Sequence, residues 1–150
     1  MTEPLITKGS GPFSMECRVS IPVQAPAPRL WALLTDARGF PSWNSTVTRI
    51  EGDIREGGKL RVHVPGSDRT MTPTVTRVVP NQRMTWAGGF GPVLRGVRTF
   101  ELREIGGGAT EFIMSERFSG LMLPLVKRMF PDFGPIFARY ATDLKRQAER

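Results

Sequence analysis

The stretch GVRTFELREIGGGATEFIMSERF, Gly96 to Phe118, decides the fold. Its glycines, Gly106 to Gly108, separate two runs of alternating side chains, which predicts two strands joined by a tight turn. Alternation places Arg98, Phe100 and Leu102 of the first strand, and Thr110, Phe112, Met114, Glu116 and Phe118 of the second, on one face. A turn centred on Gly107 pairs residues whose numbers sum to 214, setting Leu102 against Phe112, Phe100 against Met114, and Arg98 against Glu116. Directly opposed side chains have Cβ atoms about 4.5–5.5 Å apart, within ion-pair reach for the last two. A guanidinium and a carboxylate thus meet on a face that is otherwise apolar. Each is the other's partner, and burial of either alone is costly. The pair is either a structural ion pair that tolerates burial or the polar anchor of an apolar cavity.

Outward from this hairpin the chain keeps the same period. Phe13, Met15, Cys17, Val19, Ile21 and Val23 alternate with mostly polar neighbours, which marks a first strand. In APAPRLWALLTD, Pro26 or Pro28 suits the first turn of a helix whose apolar stripe is Leu30, Leu33 and Leu34, with Trp31 beside it. One more helical turn is expected before Trp43. Strands are predicted over 46–53 and 58–64, over Thr70–Val79 with Pro73 at an edge or bulge, and over Arg83–Ala87. After Gly120 the period becomes helical: Leu121, Leu125 and Met129, then Phe133, Ile136, Phe137, Tyr140 and Leu144. Pro131 and Pro135 break this segment, predicting helices from about 121 to 130 and 133 to 148. The order helix, strands, helix is that of an α+β domain.

The 150 residues suffice for one domain, here residues 13–150, with 1–12 expected as a flexible leader. This leader has neither the basic start nor the apolar core of a secretory signal, and no transmembrane segment is expected, so the location follows as cytoplasmic. The formal charge is +7, but the basic residues are scattered without interleaved aromatics, so no nucleic acid partner is expected. One cysteine and one histidine, Cys17 and His63, exclude a disulfide and argue against a metal site or a histidine-activated nucleophile. Cys17 lies on the apolar phase of its strand, and His63 faces solvent. Gly88–Pro92 (GGFGP) joins strands and lacks the helix terminus of a phosphate loop. No cofactor is called for.

The run Ala25 to Asp36, then Pro41-Ser42-Trp43-Asn44, resembles the opening of the SRPBCC or START-like superfamily, and more narrowly its polyketide cyclase/dehydrase-like branch. Val78-Val79-Pro80, Trp86-Ala87-Gly88, Phe100-Glu101-Leu102 and Glu116 to Gly120 continue the similarity over roughly residues 15–149. The chain departs from it in Ser45, where relatives carry proline, and in Arg98, where many carry histidine. The resemblance implies a helix-grip fold, an antiparallel sheet of about six or seven strands wrapped around a long C-terminal helix with a cavity between them. It also implies a hydrophobic or amphipathic small-molecule ligand, lipids included.

The cavity walls expected from phase are Trp31, Leu34, Phe100, Met114, Phe118, Leu125, Met129, Phe133, Phe137 and Tyr140, with Arg98 and Glu116 as the polar groups. Arginine's planar fork suits a carboxylate, phosphate, enolate or phenolate oxygen. Three functions fit: a carrier or sensor; a cyclase or dehydratase in which Arg98 stabilises an oxyanion while Glu116 or Tyr140 moves a proton; or a protein-partner module. The GGFGP loop and the break at Pro131–Pro135 are the expected gate.

Overall fold

In a computed structural model, which describes residues 2–68 and 70–150, the elements follow in order β1 (Leu5–Gly11), β2 (Ser14–Val23), α1 (Ala27–Leu34), α2 (Phe40–Trp43), β3 (Arg49–Glu51), β4 (Arg61–His63), β5 (Thr70–Met71), β6 (Thr74–Val79), β7 (Arg83–Phe90), β8 (Leu94–Gly106), β9 (Ala109–Ser119), α3 (Leu123–Val126) and α4 (Gly134–Ala148). A six-stranded antiparallel sheet has the order β1-β2-β9-β8-β7-β6, and β3-β4-β5 form a second, three-stranded sheet. The long helix α4 packs Phe137, Tyr140, Ala141 and Leu144 into the same apolar core as the large sheet. This is the helix-grip α+β fold.

The β8–β9 hairpin keeps the register set by its glycine turn, with Arg98 opposite Glu116, Phe100 opposite Met114 and Leu102 opposite Phe112. On β2, the phase of Cys17, Val19, Ile21 and Val23 is buried, as alternation requires. In α1, Pro26 is the N-cap and Pro28 lies in the first turn, where no amide donor is needed. Arg29 of α1 donates from Nε to Ala148 O (3.2 Å) and from Nη2 to Gln147 O (3.2 Å), satisfying carbonyls at the end of α4. Asp143 accepts from Ser45 N (2.7 Å) and Oγ (2.6 Å), fixing α4 to the loop after α2.

Four segments differ from the sequence-based expectation. The leader is not loose along its whole length: residues 5–11 form edge strand β1, paired with β2 from Leu5–Ser20 to Gly11–Ser14. Its side chains are mostly exposed, so backbone hydrogen bonds hold it and no apolar alternation announced it. The strand expected over 46–53 shrinks to β3 because Asn44 Oδ1 accepts from Thr46 N (2.9 Å) and Oγ1 (2.7 Å), an Asx turn that competes with extended pairing. The strand expected over 58–64 likewise keeps only Arg61–His63. Thr70–Val79 splits at Thr72–Pro73, and its two halves join different sheets. Pro73 has no amide for a ladder and marks the crossing.

The helix expected over 121–130 is α3 plus one 3₁₀ turn, Lys127–Met129. It ends at Phe130 because a residue before proline avoids the helical region. Its inward groups are Leu123 and, partly, Val126 and Phe130. Leu121, Leu125 and Met129, expected to face inward, are exposed. Two apolar stripes share this short segment, and periodicity alone does not say which one the core takes.

Candidate functional site

One row of the large sheet, read across β2, β9, β8, β7 and β6, carries Cys17, Glu116, Arg98, Trp86 and Val75 in register. Next to it Val19, Met114, Phe100 and Met84 form a fully buried apolar row. On its other side Met15, Phe118, Gly96 and Gly88 are in register. Gly96 leaves Phe118 without a side chain opposite it on β8, and Gly88 extends the gap onto β7. A Cβ on Gly96 would lie 3.1 Å from Phe118 Cε1, so an alanine there would have to push the ring.

The space so left is a cavity of about 370 Å³, in the range of small-molecule sites. The large sheet lines it with Trp86, Arg98, Glu116 and Phe118, α4 with Tyr140, and α2 with Phe40. Val62 and Met71 of the small sheet, with Val47, close one side. Phe90 and Leu94 at the β7–β8 turn and Phe130 at the break before α4 stand at its border.

Arg98 Nη2 lies 3.4 Å from Glu116 Oε1, both side chains being largely buried. The guanidinium carbon sits 5.2 Å from the centre of the Phe137 ring, a cation–π contact that leaves the edge of the fork open. Burial pushes the Glu116 carboxyl above the usual carboxylate range, and the single ion pair to Arg98 does not cancel it. Tyr140 is held by an edge contact to Trp43 and by stacking on Phe112. Burial drives its phenol far up, so it is a hydrogen-bond donor and stays protonated.

Three buried polar atoms along this wall have no hydrogen-bond partner among the described residues: Trp86 Nε1, Arg98 Nε and Tyr140 Oη. All three carry a hydrogen to donate. Buried polar groups are nearly always hydrogen-bonded, so three orphaned donors around one cavity call for an acceptor from outside the chain.

Of the residues expected from sequence, Arg98, Glu116, Phe118 and Tyr140 border the cavity. Phe100, Met114 and Leu34 are fully buried in the packed core, and Phe137 lies beneath Arg98. Trp31 and Phe133 are half-buried against that core. Leu125 and Met129 point outward, away from the space. Trp86 was missed although its strand was expected; its place on the even phase with Met84 was the available signal. Phe40, Val47 and Val62 come from non-adjacent segments, whose convergence no local pattern reports.

His63 is half-buried and lies 2.9 Å from Glu51 Oε2 on the small sheet. That hydrogen bond, with Arg49 and Arg61 nearby, holds the Glu51 carboxyl below its usual range. Among the described residues no group of three or more His, Cys, Asp or Glu side chains is placed to hold a metal ion.

Residues 14–149 match the model of a family described as polyketide cyclase/dehydrase and lipid transport. No curated protein sequence matches the chain. Among solved structures, the chain is similar to a norcoclaurine synthase point mutant from Thalictrum flavum bound to a transition-state analogue (15% identity, 93% of this chain and 97% of that one, TM-score 0.70). It is similar to the Zhui aromatase/cyclase from Streptomyces sp. R1128 (15% identity, 91% and 94% covered, TM-score 0.70). A START superfamily protein from Mycobacterium smegmatis is similar at 17% identity, with 89% and 97% covered and a TM-score of 0.67. At these identities the likeness is one of fold.

Proposed function

The chain belongs to the polyketide cyclase/dehydrase and lipid transport family, and we propose that its cavity binds a hydrophobic or amphipathic small molecule whose polar end accepts hydrogen bonds. The observation that carries this is the trio of unpartnered donors, Trp86 Nε1, Arg98 Nε and Tyr140 Oη, on a wall that is otherwise aromatic and aliphatic. Such a wall favours an apolar body, and the donors select a carbonyl, phenolate, enolate or carboxylate at one end. The ligand enters past Phe90 and Phe130.

A cyclase or dehydratase is the second reading, favoured by Glu116. A carboxyl raised by burial, beside a guanidinium and facing the cavity, is placed to give or take a proton. Arg98 and Tyr140 would stabilise oxyanion charge. Two proteins of similar fold, the norcoclaurine synthase and the aromatase/cyclase, are enzymes by name.

Native mass spectrometry of protein captured from cell extract tests the first reading. A retained small molecule that Arg98→Ala releases supports it, and a chain that carries nothing from any extract contradicts it. Conversion of that molecule, stopped by Glu116→Gln while binding persists, would establish the second.

A further inference from the structure

We propose that the rim of the cavity is a docking surface for an anionic lipid bilayer. The stripe at helical spacing formed by Leu121 in the turn before α3, Leu125 of α3 and Met129 of its 3₁₀ extension is 67%, 74% and 78% exposed, and Phe90 at the cavity border is 80% exposed. These are one patch. Leu121 N donates to Pro92 O and Met122 N to Val93 O, each at 2.9 Å, which binds the rim of α3 to the β7–β8 turn. Val93 and Met122 are themselves exposed. Gly120 allows the close approach, since a Cβ there would lie 2.3 Å from Val93 O. Contiguous exposed apolar surface of this kind marks an interaction site.

Charge selects the partner. Residues 86–98 and 117–131, which build the rim, contain five Lys or Arg and no Asp or Glu. Arg98 is turned inward to Glu116, and Arg117 lies 3.8 Å from Glu16. Asp132, at the edge, is paired with Lys8. Among the described residues Arg95, Lys127 and Arg128 face no carboxylate within ion-pair distance, and Lys127 Nζ donates instead to Gly11 O (2.9 Å). A second copy on this face would bring these cations against their own equivalents, because a two-fold interface apposes like with like. An anionic bilayer satisfies both features: aliphatic and aromatic tips enter the headgroup boundary, and flanking cations meet lipid phosphates and carboxylates. No helix among the described residues is long and apolar enough to cross a membrane, so this surface lies on the bilayer. The inference goes beyond the proposed ligand binding, and docking is scored without ligand, so the two fail separately.

Sedimentation with phosphatidylcholine vesicles, with and without phosphatidylserine, tests it. The protein is expected to co-sediment with the phosphatidylserine vesicles, less so as salt rises. Leu125→Ser with Met129→Ser, which leaves the charge unchanged, is expected to lower partitioning by about tenfold or more. Arg95→Gln and Arg128→Gln should each lower it about fivefold. Ile105→Ser, at a half-exposed apolar site beside the distant glycine turn, should leave it unchanged. Absence of binding to the anionic vesicles overturns the proposal. So does binding that the charge variants weaken and the Leu125/Met129 variant does not, which is plain electrostatic adsorption. A dimer in light scattering that the Leu125/Met129 variant splits would assign the face to a second copy and also overturn it.

Discussion

Replacing Tyr140 by phenylalanine separates stability from function in one atom. The ring keeps its contacts with Phe40, Trp43, Phe100 and Phe112, so no cavity opens in the core. What disappears is a fully buried hydroxyl that has no partner among the described residues. A buried hydroxyl left unsatisfied costs about 1–3 kcal/mol. The ligand-free variant should therefore be more stable than the parent by about 1–2 kcal/mol. For a domain of this size that is a rise in Tm of about 2–8 °C. Scanning calorimetry of ligand-stripped protein reads this directly. The same change removes one donor to the ligand, worth about 0.5–1.5 kcal/mol, so titration calorimetry should show binding weakened by about twofold to tenfold. Greater stability with weaker binding is the expected combination. A ligand-free Tyr140→Phe protein that melts lower than the parent would show that the hydroxyl already has a structural partner, and the reasoning fails.

For Glu116 the sign follows from its raised carboxyl: the folded state holds a proton that the unfolded state has released, so stability falls as pH rises from about 4.3, the ordinary glutamate value, through the folded value. Glu116→Gln should match the parent in acid and become progressively more stable than it above that point in denaturant titrations; a constant difference across pH would contradict this. Gly96→Ala should fold, at a cost of about 1–3 kcal/mol for pushing Phe118, and should lower ligand uptake in native mass spectra; unchanged uptake would mean the space beside Phe118 is not used. Cys17 is buried and its thiol is pushed up by that burial, so a disulfide reagent should label it only on unfolding; rapid labelling of the native protein would contradict its placement.

The hairpin at Gly96–Phe118 was legible because strand alternation and a glycine turn leave one register, and that register places Arg98 against Glu116. Tyr140 was legible too, since the helical spacing of Phe137, Tyr140 and Leu144 faces α4 inward. The first strand β1 was not, because backbone pairing holds it and its side chains stay in water. Leu125 and Met129 show a different limit: a stripe has a period but no direction, and Leu123 took the core side. Trp86 reaches the site through a third strand whose register against β8 depends on the β7–β8 turn. The cavity itself is an absence, made by Gly96 standing opposite the Phe118 ring with Gly88 beside it, and a sequence pattern reports residues more readily than gaps.

The indole N–H signals of the tryptophans give the sharpest test of the cavity. In ¹H–¹⁵N spectra of protein titrated with anilinonaphthalene sulfonate, a naphthalene and an anilino ring carrying one sulfonate acceptor, the Trp86 indole signal should move and saturate as its donor finds a partner. The Trp43 indole, buried and also unpartnered but outside the cavity lining, should stay where it is. Saturable binding of the probe with the Trp86 signal unmoved would contradict the account.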